Sequence, residues 1–133
     1  MIDSRPGEGQ TQYNIREIYD DETGVIRVRQ VRLGANLHSP PSGEPSHAIF
    51  DSQGRPRTFE WHHNGIEHAD SGEPSSITFY PDDDMQREFY RLHDQPRPNV
   101  HGPFIVDRQM SSGTVLGTKE LTEPFDRPND LEP

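Results

Sequence analysis

An apolar pair that runs into an aspartate-led turn recurs roughly every thirty residues, and this period constrains the architecture more than any other feature. It reads Ile18-Tyr19-Asp20-Asp21-Glu22-Thr23-Gly24, then Ile49-Phe50-Asp51-Ser52-Gln53-Gly54, then Phe79-Tyr80-Pro81-Asp82-Asp83-Asp84, then Ile105-Val106-Asp107. A second register keeps the same step. Gly43-Glu44-Pro45-Ser46 returns intact as Gly72-Glu73-Pro74-Ser75, and Trp61 corresponds to Tyr90. Leu37-His38 corresponds to Glu67-His68. Such repeats are small supersecondary units that stack on their neighbours to bury a shared apolar surface.

Each unit reads as a hairpin. Tyr13 to Tyr19 alternates apolar and polar residues as a half-buried strand does, turns at Asp20 to Gly24, and returns from Val25 to Leu33. A slip in the alternation at Gln30-Val31 is expected to mark a bulge. The second unit extends over His47 to Asp51, turns at Ser52 to Gly54, and returns over Arg57 to His63 with Phe59 and Trp61 on one face. Asn64-Gly65 then supplies a two-residue turn, since both residues accept positive φ. The third runs Ser76 to Tyr80, turns at Pro81 to Asp84 and returns over Met85 to Leu92. The fourth runs Phe104 to Asp107, turns at Ser112-Gly113 and returns over Thr114 to Leu121. Residues 34–45, 67–74 and 93–103 read as loops.

The expected fold is all-β: an antiparallel meander of about four repeated hairpins forming a single curved sheet. Residues 12–121 make the domain, with a flexible lead at 1–11 and an acidic, proline-containing tail at 122–133. The core must be thin, because hydrophobic residues are 28% of the chain against about 45–50% apolar (glycine included) in ordinary domains.

The net charge of −10 comes from 23 acidic against 13 basic residues, and Lys119 is the single lysine. That balance disfavours general binding to nucleic acid or anionic membranes, which need basic surfaces. It suits docking on a basic protein surface. The absence of cysteine excludes disulfides and thiolate metal sites. No apolar run reaches membrane-spanning length, and a cytoplasmic location is the default expectation.

Residues 61–74, from Trp61 through Asn64-Gly65 and His68 to Gly72-Glu73-Pro74, resemble a short MORN-like repeat. Small phage, bacterial and giant-virus proteins carry it as an aromatic, Asn-Gly, His and Gly-Pro. Residues 31–46 keep the His and a Gly-x-Pro but lack the Trp and Asn-Gly, and residues 90–104 keep an aromatic and His101-Gly102-Pro103. The resemblance implies stacked hairpins and a binding role. It carries over no catalytic residues.

Two acidic stretches stand out. Glu67, Asp70, Glu73, Asp82, Asp83 and Asp84 leave residues 64–84 with six negative charges and no Lys or Arg, and are the candidate partner-binding residues. The C-terminal segment adds Glu120, Glu123, Asp126, Asp130 and Glu132. Asp82-Asp83-Asp84 lacks the spacing and terminal Glu of an EF-hand and reads as a solvated hairpin tip. Arg27 and Arg29 are expected in cross-strand ion pairs.

The histidines offer the competing chemistry. His62 and His63 are adjacent on an extended segment, so they face opposite ways and do not share a metal easily. His62, His68 and Asp70 would make a two-His, one-carboxylate set. Trp61-His62-His63 with His93 also resembles the WHH nucleases of the His-Me-finger group, in which the paired His residues would supply a general base and a metal ligand. The gap to His93 is long, no following helix is evident, and the charge would repel nucleic acid.

The expected function is a non-catalytic protein-binding module without cofactor or metal. Within that class the favoured reading is a phage or mobile-element inhibitor, a nucleic acid mimic whose acidic surface occupies a basic, nucleic-acid-binding restriction or CRISPR effector (an anti-CRISPR role). The alternatives are the metal-dependent nuclease, with His62, His63 and His93, and a structural piece that self-assembles through its sheet edges.

Overall fold

A computed structural model describes residues 12–69 and 72–120. The lead expected over 1–11 and the tail expected over 122–133 lie outside the described residues, as does Asp70. The strands are β1 (Tyr13–Tyr19), β2 (Ile26–Leu33), β3 (Asn36–Leu37), β4 (His47–Phe50), β5 (Pro56–Glu60), β6 (His62–His63), β7 (Ile66–Glu67), β8 (Ser76–Tyr80), β9 (Met85–Phe89), β10 (Arg91–Leu92), β11 (Gln95–Pro96), β12 (Ile105–Gln109) and β13 (Val115–Lys119). Two 3₁₀ turns, Pro81–Asp83 and Asn99–His101, complete the described elements, and no α-helix is among them. No described helix is therefore long and apolar enough to cross a membrane.

The long strands form one antiparallel meander in the order β1-β2-β4-β5-β8-β9-β12-β13, with β3 added on β2. β6-β7 and β10-β11 are separate two-stranded ribbons. The all-β meander read from the period is thus the observed fold. Its four tight turns close β1-β2, β4-β5, β8-β9 and β12-β13, all at one end of the sheet. The short ribbons and longer loops occupy the other end.

The register is unsheared. Arg16, Gln30, His47, Glu60, Ser76, Phe89, Ile105 and Lys119 pair in one continuous row across all eight strands. The next row, from Glu17 through Arg29, Ala48, Phe59, Ile77, Glu88 and Val106 to Thr118, occupies the opposite face. A barrel needs a staggered register to close. This sheet has none and stays open, with β1 and β13 as its edges.

The core is as thin as the composition demands: Val31, Ala48, Phe79, Tyr90 and Val106 are the buried apolar side chains among the described residues. Phe59 sits amid an aromatic group, with ring centroids 5.1 Å from Phe79, 6.1 Å from Phe50 and 6.2 Å from Trp61. The face shared by Phe59 and Trp61 is therefore the one the alternation indicated.

Two local expectations need correction. Arg29, Gln30 and Val31 pair regularly with Glu17, Arg16 and Ile15, so there is no bulge there. The register instead shifts at Ile18/Tyr19, Ile49/Phe50 and Asp107/Arg108, beside the tight turns. Second, segments 34–45, 67–74 and 93–103 are not wholly loop, because they contain β3, the second residue of β7 and β11. The turn His93-Asp94 has φ of 52° and 67°, a conformation that non-glycine residues seldom adopt. His and Asp tolerate it better than most side chains, but the pair lacks the glycine that marks a two-residue hairpin.

Candidate functional site

Successive units are joined by a repeated set of hydrogen bonds. The N–H groups of Val31, Trp61 and Tyr90 donate to the carbonyls of Ser46, Ser75 and Phe104, at 2.8 Å in each case. Those of His38, His68 and Arg97 close the ribbons by donating to the carbonyls of Val31, Trp61 and Tyr90. The structural equivalence therefore advances by 29 or 30 residues per unit, as the sequence register does.

The histidines serve this stacking. The N–H of Asn64 donates to His38 Nδ1 at 3.0 Å, and one unit later the N–H of His93 donates to His68 Nδ1 at 2.8 Å. The repeat histidine is thus an acceptor for the next unit's turn, which requires Nδ1 to be unprotonated. In the third unit Arg97 takes this position. Its guanidinium lies 3.9 Å from the centre of the Tyr90 ring, and its Nε donates to the Pro103 carbonyl at 2.7 Å.

His68→Ala should cost about 1 kcal/mol and markedly speed hydrogen exchange of the His93 amide. His68→Asn, which retains an acceptor, should recover part of the protection. Unchanged exchange at His93 in His68→Ala would refute this role.

His62 and His63 face opposite ways, as expected. His62 Nδ1 lies 2.6 Å from Ser46 Oγ, with its Nε2 3.8 Å from Glu60, and burial lowers its pKa below the ordinary histidine value. His63 joins a column of rings on the other side: 4.7 Å from His38 and 6.4 Å from His68, which stacks on His93 at 4.2 Å. His68 thus stands between His63 and His93, while His62 is held elsewhere. Among the described residues no three His, Cys, Asp or Glu side chains are gathered as a metal site.

The candidate partner-binding acids divide between the two ends of the sheet. Glu67 is part-buried and bonded to Arg91, and burial raises its pKa despite that cation. Glu73 is exposed near the short ribbons. The length of β8, roughly 17 Å, separates it from Asp82, Asp83 and Asp84. Asp84 is committed to structure, accepting from the Ser111 N–H at 3.0 Å and Oγ at 2.6 Å. Asp82 and Asp83 are exposed, with Arg55 3.6 Å from Asp82. The five of these acids that are described do not form one patch.

The structure groups a different set. The four tight turns lie side by side, each two strands from the next, or about 10 Å. Asp20 and Asp51 use their carboxylates inside the turns, accepting from the N–H groups of Glu22 and Thr23, and of Gln53 and Arg55. Asp21 and Glu22 are exposed beside them and share the turn end of the sheet with Asp82 and Asp83. The recurrence of an aspartate-led turn in a hairpin meander was the available signal for this rim, whereas counting acids within one stretch, residues 64–84, passed over Asp21 and Glu22.

Of the two arginines expected in cross-strand ion pairs, Arg29 forms one, its Nε 3.3 Å from Glu17, and its Nη1 reaches Glu44 of the loop at 2.9 Å. Arg27 instead lies 3.6 Å from the turn residue Asp20, and its Nε donates to the Phe50 carbonyl. The deepest ion pair among the described residues is that of Glu88, 5% exposed, which accepts from Arg108 at 3.0 and 3.1 Å, Gln86 at 2.6 Å and Tyr90 Oη at 2.9 Å. Burial pushes its carboxyl up, and these donors outweigh burial to hold it below its usual value. The His47 hydrogen bond lowers Glu60, and the Arg87 hydrogen bond lowers Asp107.

These shifts set the response to acid. A depressed folded pKa contributes stability above the unfolded pKa and loses it as pH falls through the folded value. His62, Glu60, Glu88 and Asp107 all have that sign. Glu67 has the opposite sign and offsets a part. The urea midpoint should begin to fall below about pH 6.5 and drop more steeply below about pH 4. A midpoint constant from pH 7 to pH 3 would refute this account.

A separate cleft of about 210 Å³ opens at the ribbon end, between Pro40 and Gly43 on one side and His68 and Glu73 on the other, with Trp61 and His63 in its lining. No protein-family model, curated protein or solved structure matches this chain.

Proposed function

We propose that this chain is a non-catalytic protein-binding module whose acidic turn rim docks on a basic surface of its partner. The observation that carries the reading is the row of turns at one end of the open sheet, where Asp21, Glu22, Asp82 and Asp83 are exposed. Three of the four are free of any side-chain partner among the described residues; Asp82 has the 3.6 Å contact with Arg55. A tight turn needs polar residues, but it does not need this many uncompensated carboxylates. The rim covers about 20 Å across the three acidic turns, a width suited to an Arg- or Lys-lined groove.

The partner class that fits is a nucleic-acid-binding protein, whose groove is built to accept phosphate charge. An inhibitor of a restriction or CRISPR effector is the specific form of this proposal. The MORN-like character of residues 61–74 agrees with a binding role and adds no chemistry.

The test is a pull-down with the tagged full chain at low and high salt, repeated with the variant Asp21→Asn, Glu22→Gln, Asp82→Asn and Asp83→Asn. The expected result is a basic partner recovered at low salt, eluted by high salt, and lost at least tenfold with the variant. A partner retained equally by the variant would sink the rim as the docking surface.

A further inference from the structure

The geometry points to a second recognition site at the opposite end of the sheet: the Trp61 cleft receives a single arginine side chain of a protein partner. This rests on the reading of the chain as a protein-binding module and extends it to a surface the acidic rim does not include.

The internal repeat carries the inference. Glu44 and Glu73 are equivalent residues of the two Gly-Glu-Pro-Ser segments. In the first unit Glu44 receives the guanidinium of Arg29 at 2.9 Å, a cation supplied by the chain's own sheet. The unit-joining bonds place Val31 equivalent to Trp61, and hence Arg29 equivalent to Phe59. The second unit therefore has an aromatic ring where the first has its cation. Glu73 is exposed and has no ionic or hydrogen-bonding side-chain partner among the described residues. The cation absent from this unit has to come from outside if the arrangement of the first unit is to be completed.

The cleft is shaped for that group. Trp61 is pinned there, its Nε1 donating to the Gly43 carbonyl at 2.9 Å and its ring meeting the edge of Phe59. A fixed indole attracts a planar guanidinium without first being ordered. Among the described residues, Glu73 is the only carboxylate in the lining, and no Lys or Arg lines the cleft. An anionic side chain would be repelled by Glu73, and an apolar one would desolvate it without return. At about 210 Å³ the space is small for a cofactor and adequate for one long side chain.

Trp61 is the single tryptophan, so its emission reports on the cleft directly. The full chain would be titrated with an eight-residue peptide of alternating Gly and Arg, and with its counterpart containing citrulline, which keeps the shape and removes the charge. The expected result is a saturable change in Trp61 emission with the arginine peptide, at least tenfold weaker with citrulline and at least tenfold weaker in Glu73→Gln. Glu120→Gln, an equal loss of charge at an exposed distant position, should stay within twofold of the parent.

Equal responses to arginine and citrulline, an undiminished response in Glu73→Gln, or no emission change would each overturn the site. Failure of the rim variant to alter partner capture, with the Trp61 response intact, would instead remove the rim and leave the cleft standing.

Discussion

Arg108→Ala should lower the stability of the fold by about 3 kcal/mol. Glu88 is 5% exposed, and among the described residues Arg108 gives it two of its four hydrogen bonds and its only compensating charge at contact distance. Removing the cation leaves a buried carboxylate facing only Gln86 and the Tyr90 hydroxyl. An open single-layer sheet has little else to draw on, since small domains are stable by only about 5–15 kcal/mol in total. Urea denaturation measures the loss. The companion double variant Glu88→Leu with Arg108→Leu should recover most of it, because exchanging a whole buried pair for apolar groups is often neutral or better. A loss in Arg108→Ala below about 0.5 kcal/mol, the scale of an exposed ion pair, would show that Glu88 is solvated in solution.

Tyr90→Ala should cost about 3–5 kcal/mol. Tyr90 is the third unit's counterpart of Val31 and Trp61, is 7% exposed, and lies beneath the Arg97 guanidinium. Its removal opens the core just where the last ribbon and the 97–103 loop fold onto the sheet. Tyr90→Phe separates the two contributions: it keeps the ring and loses the hydrogen bond to Glu88, for about 1 kcal/mol. The two sites share Glu88, so the effects of Arg108 and Tyr90 substitutions should not add. A Tyr90→Ala variant with a parental melting curve would mean that the third unit does not contribute to cooperative unfolding.

The legible part of this protein is the part governed by neighbours in sequence. β1 occupies the residues its alternation indicated, Tyr13 to Tyr19. The Asn64-Gly65 turn forms with both φ angles positive because those two residues accept that conformation most readily. The His93-Asp94 turn has the same sign of φ without a glycine. It is held from outside, by His68 Nδ1 and the Glu67 carbonyl, which accepts the Asp94 N–H at 2.8 Å. Contacts across 25 residues of chain override the local preference, and no local pattern encodes them.

The same division runs through the candidate sites. The acids that lie close together in sequence over residues 64–84 are dispersed by the fold: Glu67 is paired with Arg91, Asp84 holds Ser111, and Asp82 and Asp83 are exposed at the turn end. Asp21 and Glu22 join them there only because an even meander returns every tight turn to one end. The period, the strand positions, the thin core and the acidic balance were determined by the sequence itself, since alternation, turn chemistry and composition act locally or as sums. Which carboxylates remain free, which histidines accept the next unit's N–H groups, and that Trp61 and Glu73 share a cleft were decided by tertiary structure. Each depends on which unit lies beside which, and on whether its partner in that unit is a cation, an aromatic ring or water.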